Sequence, residues 1–146
     1  MRPFKHLNAD SLDAAQSALA EYGSRASAIA GGTDLLGALK DGIHVAYPEV
    51  LVNLKSIPDM ARITADAAGL NIGALTGLHT IETHPAIREH YSLLAQAARA
   101  VASPQIRRMG TIGGNICQEP RCWYYRCAEN LFFCTRKDGE YCNALT

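Results

Sequence analysis

The short apolar run from Ala26 to Ala30, broken only by Ser27, leads straight into Gly31-Gly32-Thr33-Asp34 and then into Leu35, Leu36 and Leu39 at helical spacing. A buried strand that turns into a helix through two glycines limits the fold more than any other stretch. It brings backbone N–H groups at the start of a helix to a place where a diphosphate can approach closely. Thr33 adds a hydroxyl. A second glycine stretch, Met109-Gly110-Thr111-Ile112-Gly113-Gly114-Asn115, can do the same from another direction, so that two loops clamp one dinucleotide. Neither stretch is a G-x-G-x-x-G or a G-x-x-x-x-G-K-[ST], which disfavours an ordinary Rossmann or P-loop site. Taken alone, a Gly-Gly pair before a helix is more often a tight turn, so the glycines need support from the rest of the chain.

That support begins with the order of elements. Phe4 to Leu7 reads as a short strand, and Asp10 or Ser11 then caps a helix whose apolar positions are Leu12, Ala15, Ala18 and Leu19. Gly23 ends it. With strands at Ala26 to Ala30 and Val50 to Leu54, the opening is β-α-β-α-β, a small sheet covered by helices. Residues 1–57 are expected to form this first lobe. A second lobe is expected over 58–116, starting near Pro58 with a hairpin of Ala61 to Ala65 and Leu70 to Ala74 around Ala67-Ala68-Gly69. From His84-Pro85 the pattern turns helical, with Leu93, Leu94, Ala97, Ala98 and Val101 on one face, until Ser103-Pro104 breaks it. No internal repeat is present, and the chain ends at Thr146 without a completed element, which reads as truncation.

Charge and hydropathy exclude two classes of partner. With 48% apolar and 19% charged residues, no apolar run approaches the roughly 20 residues that cross a bilayer. The formal net charge is zero and the basic residues are scattered apart from Arg107-Arg108 and Arg136-Lys137, so no phosphate-tracking face for nucleic acid is expected. Met1 to His6 lacks the apolar stretch of a secretory signal, which leaves the cytoplasm as the expected address.

All five cysteines, Cys117, Cys122, Cys127, Cys134 and Cys142, fall in roughly the last fifth of the chain. In a reducing compartment such crowding reads as metal or cluster binding before it reads as disulfides. Cys117, beside the second glycine stretch, is expected to be a small buried side chain. The other four suit an iron–sulfur cluster, since four thiolates fill its outer sites. A tetrahedral zinc site is the main rival, weakened by the absence of paired C-x-x-C knuckles. Trp123, Tyr124, Tyr125, Phe132 and Phe133 interleave the thiols and are expected to shield them from water. The five histidines show no ligand spacing and are expected to be surface or satisfied residues.

Ile29-Ala30-Gly31-Gly32-Thr33-Asp34-Leu35-Leu36, then Ile72-Gly73-Ala74-Leu75-Thr76, then Ser103-Pro104-Gln105-Ile106-Arg107-Arg108-Met109 with the second glycine stretch, in this order and spacing, resemble the FAD-binding subunit of the molybdenum hydroxylases, the xanthine dehydrogenase and carbon monoxide dehydrogenase family. The resemblance implies a two-lobed α+β FAD-binding fold, a small N-terminal α/β lobe and the start of a larger lobe with antiparallel strands. It implies that Ile29, Ala30, Gly31, Gly32, Thr33, Asp34 and Leu35 wrap the diphosphate. Ala102, Ile106, Gly110, Thr111, Gly114 and Asn115 would bind from the second loop, and Thr76 would lie near the flavin. No catalytic acid or base is implied.

The stretch from Gln118 through Cys142 resembles an insertion in part of that family, the 4-hydroxybenzoyl-CoA reductase beta subunit and certain bacterial aldehyde oxidoreductases, which carries an extra [4Fe-4S] cluster. The match falls on Cys122, Cys134 and Cys142, with Cys127 an additional thiol and the family's fourth ligand outside this sequence. Residues 117–146 are thus expected to be an incomplete iron–sulfur insertion. The implied function is electron transfer between FAD and iron–sulfur clusters, with a molybdenum-cofactor large subunit and a [2Fe-2S] small subunit as partners. An aromatic CoA thioester, an aldehyde or an N-heterocycle would be the substrate at molybdenum. Two alternatives stay open: a stand-alone FAD-dependent oxidase, whose covalent histidine attachment finds no histidine in either loop, and a non-catalytic zinc-binding interaction module.

Overall fold

The structure, a computed structural model, describes residues 1–145. The first half follows the expected order: β1 (Lys5–Asn8), α1 (Leu12–Tyr22), β2 (Ala26–Ile29), α2 (Leu35–Asp41) and β3 (Val50–Asn53). Ser11 caps α1 by accepting from the Ala14 N–H at 3.2 Å, and Gly23, at φ +53°, ends it in a conformation open to glycine. The apolar face of α1 is Ala15, Ala18, Leu19 and Tyr22, whereas Leu12 in the first turn is exposed.

The three strands are parallel in the order β1-β3-β2. Ala26 and Lys5 both pair with Val50, and Ile29 and Asn8 with Asn53. Central β3 is therefore the buried strand, with Leu51 and Val52 fully covered. β2 was expected to be buried throughout. It is instead a half-exposed edge strand, because β3 occupies its only ladder and its other edge is open. Around β3, Ala9, Ala15, Val50, Val52 and Ile57 form one core cluster.

The second half opens with the antiparallel hairpin β4 (Ile63–Asp66) and β5 (Gly69–Ile72). Five helices follow: α3 (Leu78–Thr83), α4 (Pro85–His90), α5 (Ser92–Ala100), α6 (Pro104–Met109) and α7 (Ile112–Ile116). The helical pattern expected to start at His84 begins earlier and is split at Tyr91, whose φ −133° and ψ 46° are not helical. That break resets the phase, so Leu94, Ala95 and Ala98 face inward while Leu93 is exposed. Ser103-Pro104 does not break a helix but starts one. Proline at the first helical position loses no needed hydrogen bond, and the Ser103 hydroxyl accepts from the Ile106 N–H at 3.3 Å. Ile81, Ile87, Ala95 and Ala98 form a second core cluster, against which Ile63, Leu70, Ile72 and Ile112 pack.

The expected α+β architecture is present: a parallel three-stranded sheet under helices, then an antiparallel hairpin under a helical layer. Among the described residues no helix is long and apolar enough to cross a membrane. Truncating Leu51 to alanine is expected to lower stability by about 2–5 kcal/mol, because the central strand has no room to collapse around the void. Urea unfolding curves of the two proteins would measure it.

Candidate functional site

The first glycine loop connects β2 to α2. Gly32 sits at φ +72°, the left-handed region that glycine enters without strain. Among the described residues, the N–H groups of Gly31, Gly32 and Thr33 meet no acceptor. These are the free donors that the sequence leads one to expect.

The second stretch differs from expectation. Rather than an open turn it is the junction of α6 and α7 at Gly110, with Thr111 in extended conformation capping α7 through the Gly114 N–H at 3.2 Å. Most of its other N–H groups are committed: Ile112 donates to the Thr76 carbonyl at 2.9 Å, Gly113 to Ala74 at 2.8 Å and Asn115 to Thr111 at 2.9 Å, while the Thr111 N–H meets no acceptor among the described residues. This loop therefore offers surface, the Thr111 hydroxyl and the Asn115 amide rather than a nest of free N–H groups.

The two loops touch. A Cβ built on Gly31 would lie 2.1 Å from the Met109 carbonyl oxygen, and one on Gly110 would meet the Thr33 hydroxyl at 3.5 Å. Between them runs a groove made of two cavities. The first, about 290 Å³, is lined by residues 27–35 of the β2 edge and first loop, with Thr111, Gly114, Cys117, Gln118 and Glu119. The second, about 410 Å³, is lined by Thr33, Asp34, Leu78, Val101, Ala102, Ile106, Gly110, Thr111, Gly114, Asn115, Gln118 and Arg121. Thr33, Asp34, Thr111, Gly114 and Gln118 belong to both, so the cavities meet at a common waist.

Thirteen of the expected loop residues thus line the groove, from Ile29 to Leu35 and from Ala102 to Asn115. Thr76 does not. It is 1% exposed beneath the second loop, and its hydroxyl has no hydrogen-bond partner among the described residues. Cys117 was expected to be buried, yet it is exposed and lines the first cavity, because α7 ends just before it and turns its side chain outward.

Sequence reading missed the ionic groups that assemble the site. The Asp34 carboxylate accepts the Glu119 N–H at 3.0 Å, Arg121 at 2.5 Å and Arg126 at 2.7 Å. Arg126 also donates to the Pro120 carbonyl at 2.8 Å. The His44 imidazole stands 2.7 Å from the Glu119 carboxylate, so one of the histidines expected to be surface or satisfied residues has its partner there and helps to tether the cysteine segment. Burial raises the Asp34 pKa, but the Glu119 N–H and the two guanidiniums together outweigh it and hold the carboxyl below its ordinary value. Arg107, in sequence only half of a basic pair, is buried. It donates to Glu82 at 3.0 Å and to the Val101 carbonyl at 2.9 Å, which fastens the turn at Ala102, a non-glycine residue at φ +42°. Partners so distant in sequence leave no local signal.

The cysteine segment packs around Lys137, which is 5% exposed, donates to Asn130 at 2.7 Å and lies 4.8 Å from the Tyr125 ring centre. Burial pushes its ammonium pKa down, with Cys134, Glu119 and Cys127 acting in the opposite sense. Cys134 is buried, and Cys122, Cys127 and Cys142 are half-buried. Among the described residues no group of three or more histidine, cysteine or acidic side chains is arranged to hold a metal ion, so the four thiols are not gathered at one point. Tyr124 and Phe132 pack edge to face at 5.1 Å, but Trp123 is 92% exposed and shields nothing.

A parallel strand ending in a free-donor glycine turn, faced by a second glycine junction across a two-chambered groove, has the shape and the backbone donors that suit a dinucleotide. The chain belongs to the family described as the FAD binding domain in molybdopterin dehydrogenase, which it matches over residues 2–122. It is 38% identical over 117 residues to the nicotinate dehydrogenase FAD-subunit of Eubacterium barkeri, covering 80% of this chain and 39% of that protein. It is 38% identical over 98 residues to the aldehyde oxidoreductase FAD-binding subunit PaoB of Escherichia coli, covering 66% of this chain and 30% of that protein. The carbon monoxide dehydrogenase structure from Hydrogenophaga pseudoflava superposes with a TM-score of 0.74 at 35% identity, over 79% of this chain and 39% of that one. The chain thus spans about two fifths of the length of such relatives.

Two outcomes test this geometry. Gly31→Ala must push the loops apart, at a cost of about 1–3 kcal/mol, read as a lower thermal midpoint. The Asp34 contribution has the sign of a lowered carboxyl pKa. It is complete above the ordinary aspartate value of 3.8 and lost as pH falls through the lower folded-state value. The stability gap between the native protein and Asp34→Asn is therefore expected to close on acidification, measured as urea midpoints at a series of pH values.

Proposed function

We propose that this chain is the front part of a flavin subunit in a molybdenum-containing dehydrogenase or hydroxylase, and that the groove between its two glycine loops holds FAD. The observation that carries the reading is the shared waist of the two cavities, where Thr33, Asp34, Thr111, Gly114 and Gln118 face both chambers. A dinucleotide has that shape, two bulky ends joined by a narrow diphosphate. The residues present fit it. The free N–H groups of Gly31, Gly32 and Thr33 suit phosphate oxygens, and a Cβ on Gly114 would meet only the Thr111 hydroxyl, at 3.1 Å, so that glycine keeps the waist open.

In this reading Ile29 to Leu35 bind from one side, and Ala102, Ile106, Gly110, Thr111, Gly114 and Asn115 from the other. Thr76 supports the second loop from below. Bound FAD would supply one- and two-electron exchange. The protein's own contribution is to hold the diphosphate, orient the two ends and keep an apolar wall of Ala28, Ile29 and Ala30 along one chamber. No side chain is assigned as acid or base. Residues 1–57 and 58–116 form the two lobes that meet at the groove, and 117–146 form the cysteine insertion.

Cys122, Cys127, Cys134 and Cys142 are proposed as thiolates for a [4Fe-4S] cluster, supported by four soft donors within one short segment. A molybdenum-cofactor large subunit and a [2Fe-2S] small subunit are the proposed partners, supported by similarity to medium chains of such dehydrogenases. The cytoplasm is the proposed compartment, in keeping with five free thiols.

An absorption spectrum of anaerobically purified protein, with iron, zinc and acid-released flavin assayed on the same sample, tests these statements. Flavin bands at one FAD per chain support the groove assignment, and iron at about four per chain supports the cluster. Flavin-free protein that takes up no added FAD rejects the first, and stoichiometric zinc without iron rejects the second.

A further inference from the structure

The groove poses a charge problem. Asp34 lines both cavities, so a diphosphate at the waist meets a carboxylate at close range. Among the described residues Arg121 is the only lysine or arginine that lines either cavity, and it stands in the larger one with Thr33, Gly110, Thr111 and Gly114. We propose that Arg121 is a diphosphate-binding residue of this groove, held in place by Asp34 and Gln118. The inference rests on the FAD reading above and adds a contact to it.

Three observations support a ligand-facing role over a purely structural one. Asp34 already has a better-buried cation in Arg126, at 2.7 Å with side chain 23% exposed, so the carboxylate is matched without Arg121. Arg121 itself is 58% exposed, and its bonds to Asp34 and to the Gln118 side-chain oxygen engage two of its five N–H groups. The remaining donors sit in a planar fork whose geometry matches phosphate oxygens. Gln118 holds the guanidinium as a neutral acceptor, and with Arg126 balancing Asp34, the positive charge of Arg121 is left over for an anion.

The test uses the full-length protein stripped of flavin and titrated with FAD by fluorescence quenching at low and high salt. Arg121→Gln is expected to weaken FAD binding about tenfold or more and to flatten its salt dependence. Arg121→Lys keeps the charge and is expected to fall between, with the salt dependence retained. Arg99→Gln, which removes the same charge outside the groove, is expected to bind as the native protein does. Two results would overturn the proposal: Arg121→Gln matching Arg99→Gln in affinity and salt dependence, or weaker binding with an unchanged salt dependence, which reduces Arg121 to a brace on Asp34. Should Arg121→Gln fail to fold, native-like salt dependence with weakened binding in Arg121→Lys supports the proposal, and unaltered affinity there rejects it. Native protein that binds no FAD under any condition removes the flavin reading and this inference with it, a result distinct from failure of the variants alone.

Discussion

The backbone of Gly31 lies so close to the Met109 carbonyl that no side chain fits between them, and the groove exists because of that contact. Two segments far apart in sequence, the turn after β2 and the junction of α6 and α7, are brought to van der Waals distance there. Each adjoins an element packed on a different core cluster, β2 through Ala26 on one side and α7 through Ile112 on the other. The first hangs from the parallel sheet around Val50 and Val52, and the second from the helical layer around Ile81, Ala95 and Ala98. Contact between the loops thus relates the two cores to one another, and the cavities are the space left on either side.

The sheet prepares one wall of that space. As β3 takes the central position, β2 is left at an edge, and residues 27–30 remain half-uncovered along the first cavity. An exposed strand edge invites unwanted pairing unless something covers it. Here the flanking glycine loop and the start of the cysteine segment line the cavity beside it. The second wall is stiffer. Its Ile112 and Gly113 N–H groups are tied to the Thr76 and Ala74 carbonyls, and Arg107 with Glu82 pins the turn at Ala102. One wall donates free backbone groups and the other holds shape, a division consistent with a ligand gripped from one side and bounded from the other.

Electrostatics joins the cysteine segment to this frame. Asp34 draws in Arg121, Arg126 and the Glu119 N–H, while His44 takes the Glu119 carboxylate. Apart from the exposed Arg121 pair, these contacts are partly shielded from water, so their geometry matters more than that of ordinary surface pairs. They place the segment carrying the thiols against the groove, and they make an acidic residue of the glycine loop serve as an anchor for that segment.

The sequence by itself determined the local elements and the family. Ser11 and Gly23 bound α1, the Gly31-Gly32 pair follows a strand, the β4–β5 hairpin turns at Gly69, and the two glycine stretches stand in the order of FAD-binding domains in molybdopterin dehydrogenase. Caps, glycine turns and hydrophobic periods act over a few residues, which is why they can be read in order. Only the tertiary structure decided that β2 is an edge, that Pro104 starts a helix, that the second loop has no free N–H nest, that Cys117 is exposed, and that Asp34 meets Arg121 and Arg126. The edge position of β2, the tied N–H groups of the second loop and the Asp34 pairs depend on partners tens of residues away. Strand order, burial and ion pairing are set by which surfaces meet when the chain packs, and spacing along the chain carries no record of that meeting.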